Sequence, residues 1–265
     1  MHGPNSLTIA ARYLSARVIK VVGNFLKLPC YLLHFVCPKA RFLLPHRSGP
    51  IVSVLSRHRI PKIIWQTNYT DRVTLAVYMN YLFNRMMAPT YEYRFMDDSE
   101  LADSIKQHYP SRIVDVYSKL QIGAAQADFW RILVLRHCGG VYLDIDAHIV
   151  WPLGFIIKPE LAQLYLWSRD DNLTNYFLAS AADNPHLDLM IDRIVDNIEK
   201  VSSPDVGTLT GPEMMTAVLG RLAPVAVPFR YTCYQGTFTN EFFQYVDHPQ
   251  GKWSKAQKKI AVVKG

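Results

Sequence analysis

Between Ile113 and Leu153 the chain passes from a long apolar stretch, through Gly139-Gly140, into a second apolar run that carries Asp144 and Asp146. The spacing of Ile113–His137 predicts helix, broken near Gly123, and a glycine pair is the expected stop for it. "GVYLDIDAHIV" then reads as a buried strand. In a strand, alternate residues share a face, so Tyr142, Asp144 and Asp146 point the same way. Isolated buried carboxylates are costly unless paired or bound to a cation. Two adjacent like charges need a divalent metal, an Arg or Lys, or protonation of one acid. All-oxygen donors suit Mg²⁺ or Mn²⁺, which bind through one or two carboxylates plus substrate phosphates. A turn with two solvated acids is the plain alternative.

The rest of the chain fits around that block. Ile60–Gln66 reads as a first strand with Pro61 near its start, where a missing N–H is tolerated. Leu75–Met87 has helical spacing, and Tyr91–Met96 alternates like a strand. Asp97-Asp98-Ser99-Glu100 supplies caps for a helix through Gln107. Leu164–Trp167 and Tyr176–Ser180 are further strand candidates, and His186–Val201 is an amphipathic helix. Strands alternating with helices imply an α/β fold with a mainly parallel central sheet. With 265 residues, 49% of them hydrophobic and 19% charged, the chain is long enough for a sizeable core and too apolar for wholesale disorder. Four cysteines without a CxxC spacing give no zinc signature and point to a reducing compartment. Two N-glycosylation sequons, at Asn68 and Asn172, carry no weight among ten asparagines.

Charge is distributed unevenly. The net charge is +7, yet residues 1–60 hold nine Lys/Arg and no acid, leaving 20 basic against 22 acidic residues in the rest. Five more lysines fall in the last fifteen residues. Basicity at the two ends, with no nucleic-acid-binding motif, excludes a uniform nucleic-acid surface. On a helical wheel Leu7, Leu14, Val18, Val21, Val22 and Phe25 share one face, with Arg12, Arg17, Lys20, Asn24 and Lys27 on the other. This reads as a basic amphipathic helix lying on an anionic membrane. Lysines are expected to interrupt each apolar stretch before it is long enough to span, and no signal-peptide pattern is present. A transit peptide, or ordinary packing on the domain, are the competing readings. Residues 1–50 are expected to be this membrane-associating or packing segment, ending in a linker at Pro45 and Ser48-Gly49-Pro50. Residues 51–265 are expected to form the catalytic domain.

The helix before the aspartates adds a second charged pair. "IGAAQADFWRILVLRHCGG" sets Asp128 and Arg131 three residues apart on one face of an otherwise apolar helix. An exposed pair would stabilise little, so a charged pair among Phe129, Trp130, Ile132, Leu133 and Leu135 needs a reason.

Together, Ala124–Pro152 with Asp128, Arg131, Gly139-Gly140 and Asp144-x-Asp146, and "IPKIIWQT" at Ile60–Thr67, resemble the DxD sugar-transferase region of family 32 glycosyltransferases. Trp65 stands where that family commonly has His. Asn175, Thr210-Gly211-Pro212, His248 and Trp253 also resemble family positions, so the likeness covers roughly residues 60–253. The resemblance implies a GT-A (Rossmann-like) nucleotide-sugar-binding fold. It also implies a divalent metal, Mn²⁺ or Mg²⁺, a nucleotide-sugar donor such as a UDP-sugar, and retaining transfer. By the same resemblance Asp128, Arg131, Asp144 and Asp146 form the catalytic set. Asp144 and Asp146, with His248, hold the metal. Trp65, Gln66, Asp128, Arg131, Tyr142, Asp144 and Trp253 bind the donor, Trp65 by stacking on the base. No second carboxylate emerges as a nucleophile.

A bacterial capsule or lipopolysaccharide enzyme, acting on a glycan or lipid-linked acceptor from the cytoplasmic face of the membrane, fits this reading. A non-catalytic carbohydrate- or phosphate-binding module and a metal-dependent phosphohydrolase are the alternatives.

Overall fold

The structure, a computed structural model, describes residues 6–54, 57–201 and 203–264; residues 1–5, at the start of the expected first segment, and 55–56, 202 and 265 of the second lie outside it. Its strands are β1 (Phe42–Leu43), β2 (Arg47–Ser48), β3 (Ile63–Thr67), β4 (Arg72–Val73), β5 (Glu92–Met96), β6 (Gly140–Leu143), β7 (Ala147–Ile149), β8 (Gln163–Trp167), β9 (Leu173–Ser180), β10 (Ala226–Pro228) and β11 (Cys233–Gln235). The helices α1 (Ser6–Val36), α2 (Leu75–Met87), α3 (Asp98–His108), α4 (Ser111–Ser118), α5 (Gly123–Cys138), α6 (Leu153–Ile156) and α7 (Pro185–Glu199) are joined by shorter ones at Val206–Leu209, Pro212–Leu219, Glu241–Tyr245 and Trp253–Ala256.

Local chemistry explains several boundaries. Asp97 accepts hydrogen bonds from the Ser99 and Glu100 amides at 3.0 and 3.1 Å, and Glu100 accepts from the Asp97 amide at 3.0 Å, a reciprocal cap that starts α3. The stretch expected as one helix with a break is two helices, α4 and α5. At the end of α5, Gly139 and Gly140 have φ of +66° and +116°. A Cβ on Gly140 would lie 2.8 Å from the Ile63 carbonyl oxygen, so β6 can pair with β3 only because no side chain intervenes.

The central sheet has seven strands in the order β10-β8-β9-β6-β3-β5-β2. Its pairings β10–β8, β3–β5 and β3–β6 are parallel, while β6–β9, β8–β9 and β2–β5 are antiparallel. The sheet is therefore mixed rather than mainly parallel. β8 and β9 are joined by a short turn, which only antiparallel strands permit. Helices cover both faces. Trp65, Tyr142, Tyr165 and Leu178 pack with α5 and α7 on one side. Ile64, Val141, Leu143 and Phe177 pack with Val77 and Tyr81 of α2 and with α6 on the other. This is a three-layer α/β arrangement.

The expected boundary at residue 50 does not fall between two units. Leu43 and Phe42 pair with Arg72 and Val73, and Arg47-Ser48 adds an edge strand to the main sheet. α1 lies against the domain by one face. Its buried residues are Arg12, Ala16, Gly23 and Cys30, mostly small ones that allow close approach. Contrary to expectation, its lysines do not interrupt every long apolar stretch. An 18-residue window reaches a mean hydropathy of 1.3 with no more than two charged residues, enough by length and composition to cross a membrane.

Candidate active site

The carboxyl ends of β3 and β6 open onto a cavity of about 860 Å³, the place where open α/β sheets bind ligands. The aspartate pair sits at its floor, in a turn rather than within the strand. β6 ends at Leu143, and the Ala147 amide donates to the Asp144 carbonyl at 2.9 Å before β7 resumes. The two carboxylates nevertheless converge. Gln235 Nε2 donates to Asp144 Oδ2 at 3.0 Å and to Asp146 Oδ1 at 3.1 Å. Antiparallel pairing of β11 with β7, Gln235 opposite Ala147, brings this amide in. The Gly236 amide also donates to the Asp146 carbonyl at 3.0 Å.

Behind the turn lies a dense charged cluster. Arg131 Nη2 meets Asp128 Oδ1 at 2.9 Å and Asp144 Oδ1 at 3.3 Å. Its Nη1 donates to the Asn175 carbonyl at 2.6 Å, its Nε to the Ala127 carbonyl at 3.2 Å, and its guanidinium lies 4.4 Å from the Tyr142 ring centre. Two hydrogen bonds to backbone carbonyls and two ion pairs thus hold the guanidinium within the protein. Asp128 also accepts from Asn175 Nδ2 at 2.8 Å and Thr210 Oγ1 at 3.2 Å, and Tyr142 donates its hydroxyl to Asp144 at 2.8 Å. Arg131 and Asp128 are almost fully buried, which answers why an apolar helix carries them. Burial pushes the Asp128 carboxyl up to about 6, even against the pull of Arg131. Burial and then the Asp144 charge push Asp146 up to about 7. Arg131 is drawn down by burial, but Asp144 and its other anionic neighbours more than reverse this and hold it protonated.

The donor set suits a hard divalent cation. Two carboxylates face each other across a single neutral amide, and Asp146 resists ionisation without a nearby positive charge. Asp144 and Asp146 would hold such an ion, with phosphate and water oxygens completing its shell. Among the described residues no third His, Cys, Asp or Glu is close enough to join them. His248, expected as a third ligand, lines the same cavity but packs against the Tyr69 ring, centroids 5.3 Å apart.

The remaining expected site residues divide. Trp253 lines the cavity and is 41% exposed, so its indole is available to a ligand. Trp65 does not face the cavity and is only 1% exposed; its Nε1 donates to the Gly139 carbonyl at 2.9 Å and its ring meets Trp130 edge-on. A buried ring cannot stack on a base, and Trp65 instead locks the glycine turn before β6. Gln66 is equally buried and donates to the Asp144 carbonyl at 3.0 Å, supporting the aspartate turn from below. The sequence reading missed Gln235, because no local pattern marks a residue that reaches the aspartates through a strand pairing. It also missed Tyr69 and Tyr245, which line the same cavity.

Residues 75–167 match the family model described as a glycosyltransferase sugar-binding region containing DXD motif. Curated relatives include an initiation-specific α-1,6-mannosyltransferase of Schizosaccharomyces pombe, 35% identical over 43% of this chain and 28% of that protein. A mannosyl phosphorylinositol ceramide synthase of Saccharomyces cerevisiae is 32% identical over 33% of this chain and 22% of that one. The chain thus spans less than a third of either relative. Both are fungal, and neither is named for the bacterial capsule or lipopolysaccharide synthesis that was expected. A solved structure titled PaToxG Glycosyltransferase superposes with a TM-score of 0.51 at 17% identity, covering 81% of each chain, and shows that the fold is of the GT-A-like kind.

Proposed function

We propose that this chain is a metal-dependent glycosyltransferase that moves a sugar from a nucleoside diphosphate-sugar to a glycan or lipid-linked hydroxyl. The observation that carries the reading is the joining of two chemistries at one end of a single cavity. Asp144 and Asp146 form an oxygen-rich pair there, beside a buried Asp128 whose orientation is fixed on three sides.

Each part has a task in such a transfer. A divalent cation on Asp144 and Asp146 would neutralise the diphosphate and stabilise its departure as a Lewis acid. Asp128 has acceptor capacity beyond its three protein partners, enough to take a sugar hydroxyl. Arg131, buried and ion-paired with both Asp128 and Asp144, orients them more than it grips substrate. Trp253, exposed, and Tyr69, half-buried, line the same cavity and offer ring surface for the nucleotide. Both fungal relatives carry a mannosyl group in their names, which favours GDP-mannose beside the UDP-sugars as donor.

The test is release of free nucleotide from GDP-mannose, UDP-glucose, UDP-galactose and UDP-GlcNAc, with Mn²⁺, Mg²⁺ or a chelator. Metal-dependent release from one donor, with sugar recovered on an added acceptor, supports the reading. Sugar recovered only as free monosaccharide, whatever acceptor is supplied, would make the chain a hydrolase. No release and no rise in melting temperature with any donor and metal would leave it without this function.

A further inference from the structure

Helix α1 inverts the usual rule of burial. Its inner face packs through small side chains, while Leu14, Val18, Phe25, Leu28, Leu32 and Phe35 are between 53% and 85% exposed. With Val21, 57% exposed, these residues recur at three- and four-residue spacing, so they form one apolar stripe from Leu14 to Phe35. At about 1.5 Å per residue, the stripe from Leu14 to Phe35 is roughly 32 Å long. Arg17 and Lys20 are exposed toward its edge, where a helix half-sunk in headgroups presents cationic side chains.

The inner face shows how α1 is oriented. Arg12 donates to the Phe155 carbonyl at 3.1 Å and Ser15 to the Val150 carbonyl at 2.8 Å near its start. Near its end, Tyr31 accepts from Asn240 at 2.6 Å and packs on Phe243 at 4.5 Å between ring centres. A helix anchored to the domain at both ends cannot stand across a bilayer without carrying the domain into it. The segment that α1 holds is also the one that reaches the cavity. Gly23 abuts Thr237, Lys27 donates to the Gly236 carbonyl at 3.4 Å, and the neighbouring Gln235 bridges Asp144 and Asp146. Glu241, Gln244 and Tyr245, next along, line the cavity wall.

We propose that α1 lies in the plane of an anionic bilayer surface, its outer stripe among the acyl chains, and that it holds the Gln235–Tyr245 wall of the cavity beside that surface. The acceptor is then a membrane-resident amphiphile whose hydroxyl headgroup reaches the cavity from the bilayer. This last clause rests on the transfer reading above; the docking of α1 does not. The occupant is lipid rather than a second copy of the chain. A stripe flanked by Arg17 and Lys20, on a helix with four basic residues and no acid, repels its own copy and matches anionic headgroups.

The experiment uses the full chain with Cys37→Ser and a spin label at residue 14, 25 or 35, one at a time, on phosphatidylglycerol–phosphatidylcholine vesicles. Paramagnetic oxygen and nickel accessibility report depth. The expected result is the same shallow depth at all three positions, with binding that weakens in high salt. Combining Val18→Glu, Phe25→Glu and Leu32→Glu should lower vesicle binding by at least about tenfold while nucleotide release in solution stays unchanged. A central label at the bilayer midplane with the end labels at opposite surfaces would show a spanning helix and overturn the proposal. Labels that stay in water, with a dimer in light scattering that the triple variant abolishes, would assign the stripe to a second copy. Depth is read without catalysis, so a failed transfer assay and failed docking are separate outcomes. If docking holds, transfer to a vesicle-embedded polyprenyl or ceramide glycan should exceed transfer to its soluble headgroup; equal rates would remove the acceptor clause alone.

Discussion

The aspartate cluster and α1 break the same rule in opposite directions. Around Asp128 the protein buries charge, and each buried charged atom has a partner: Arg131, Asn175, Thr210, Tyr142 or Gln235. Along α1 it leaves large apolar side chains in the open while Gly23 and Ala16 are inside. Both departures cost stability to the isolated chain, and each is tolerated where something outside the chain completes it. In the cluster that completion is ionic and points to the cavity; on α1 it is apolar and points away from the domain.

Substitutions can test whether the two regions differ in this way. The largest effect is expected for Asp146→Asn, which removes one of two cation ligands. Turnover should fall by about a thousandfold or more, and wild-type-like activity would remove the metal role from this pair. The same change should stabilise the metal-free protein at high pH. Asp146 has a raised folded-state value of about 7, so its favourable contribution is present below the unfolded carboxyl range and is lost as pH rises through about 7. The neutral amide of the variant carries no such loss. The variant's melting temperature should exceed the wild type's by about 3 °C at pH 8 and by less at pH 5. Added Mn²⁺ should raise only the wild type.

Arg131→Ala is expected to act next most strongly, and on folding as much as on catalysis. Arg131 is 4% exposed and neutralises two carboxylates. Removing one partner of a buried ion pair costs about 3–5 kcal/mol. Urea unfolding should show this loss, partly recovered at pH 5, where Asp128 with its value near 6 can take up a proton. A stability within about 0.5 kcal/mol of the wild type would mean that the arginine serves substrate alone.

Phe25→Gln should do least. Phe25 is 67% exposed, so in solution the change should move stability by no more than about 0.5 kcal/mol. A loss of about 2 kcal/mol or more, the scale of a buried aromatic, would show that the stripe is covered by the protein itself and erase the contrast with the cluster.

Much of this was legible in the chain. Helical spacing gave α2 its limits at Leu75 and Met87, the Asp97–Glu100 cap opened α3, and Gly139-Gly140 ended α5. Asp128, Arg131, Asp144 and Asp146 were marked by being charged where their neighbours are apolar. All of these are patterns within a few residues, where helix and strand periods fix which side chains are neighbours. Other features depend on distant pairings. Antiparallel β8 and β9 make the sheet mixed, and β11 carries Gln235 to aspartates about ninety residues earlier in the chain. Trp65 looks like a ligand-facing residue at the end of a strand, but its partners Gly139 and Trp130 come from α5 and its glycine stop, and they turn it into core. The apolar face of α1 was visible on a helical wheel; which face the domain would cover was not. That choice was made by Gly23 and Ala16, whose small size lets α1 approach Thr237 and the cavity wall, leaving the larger residues outside.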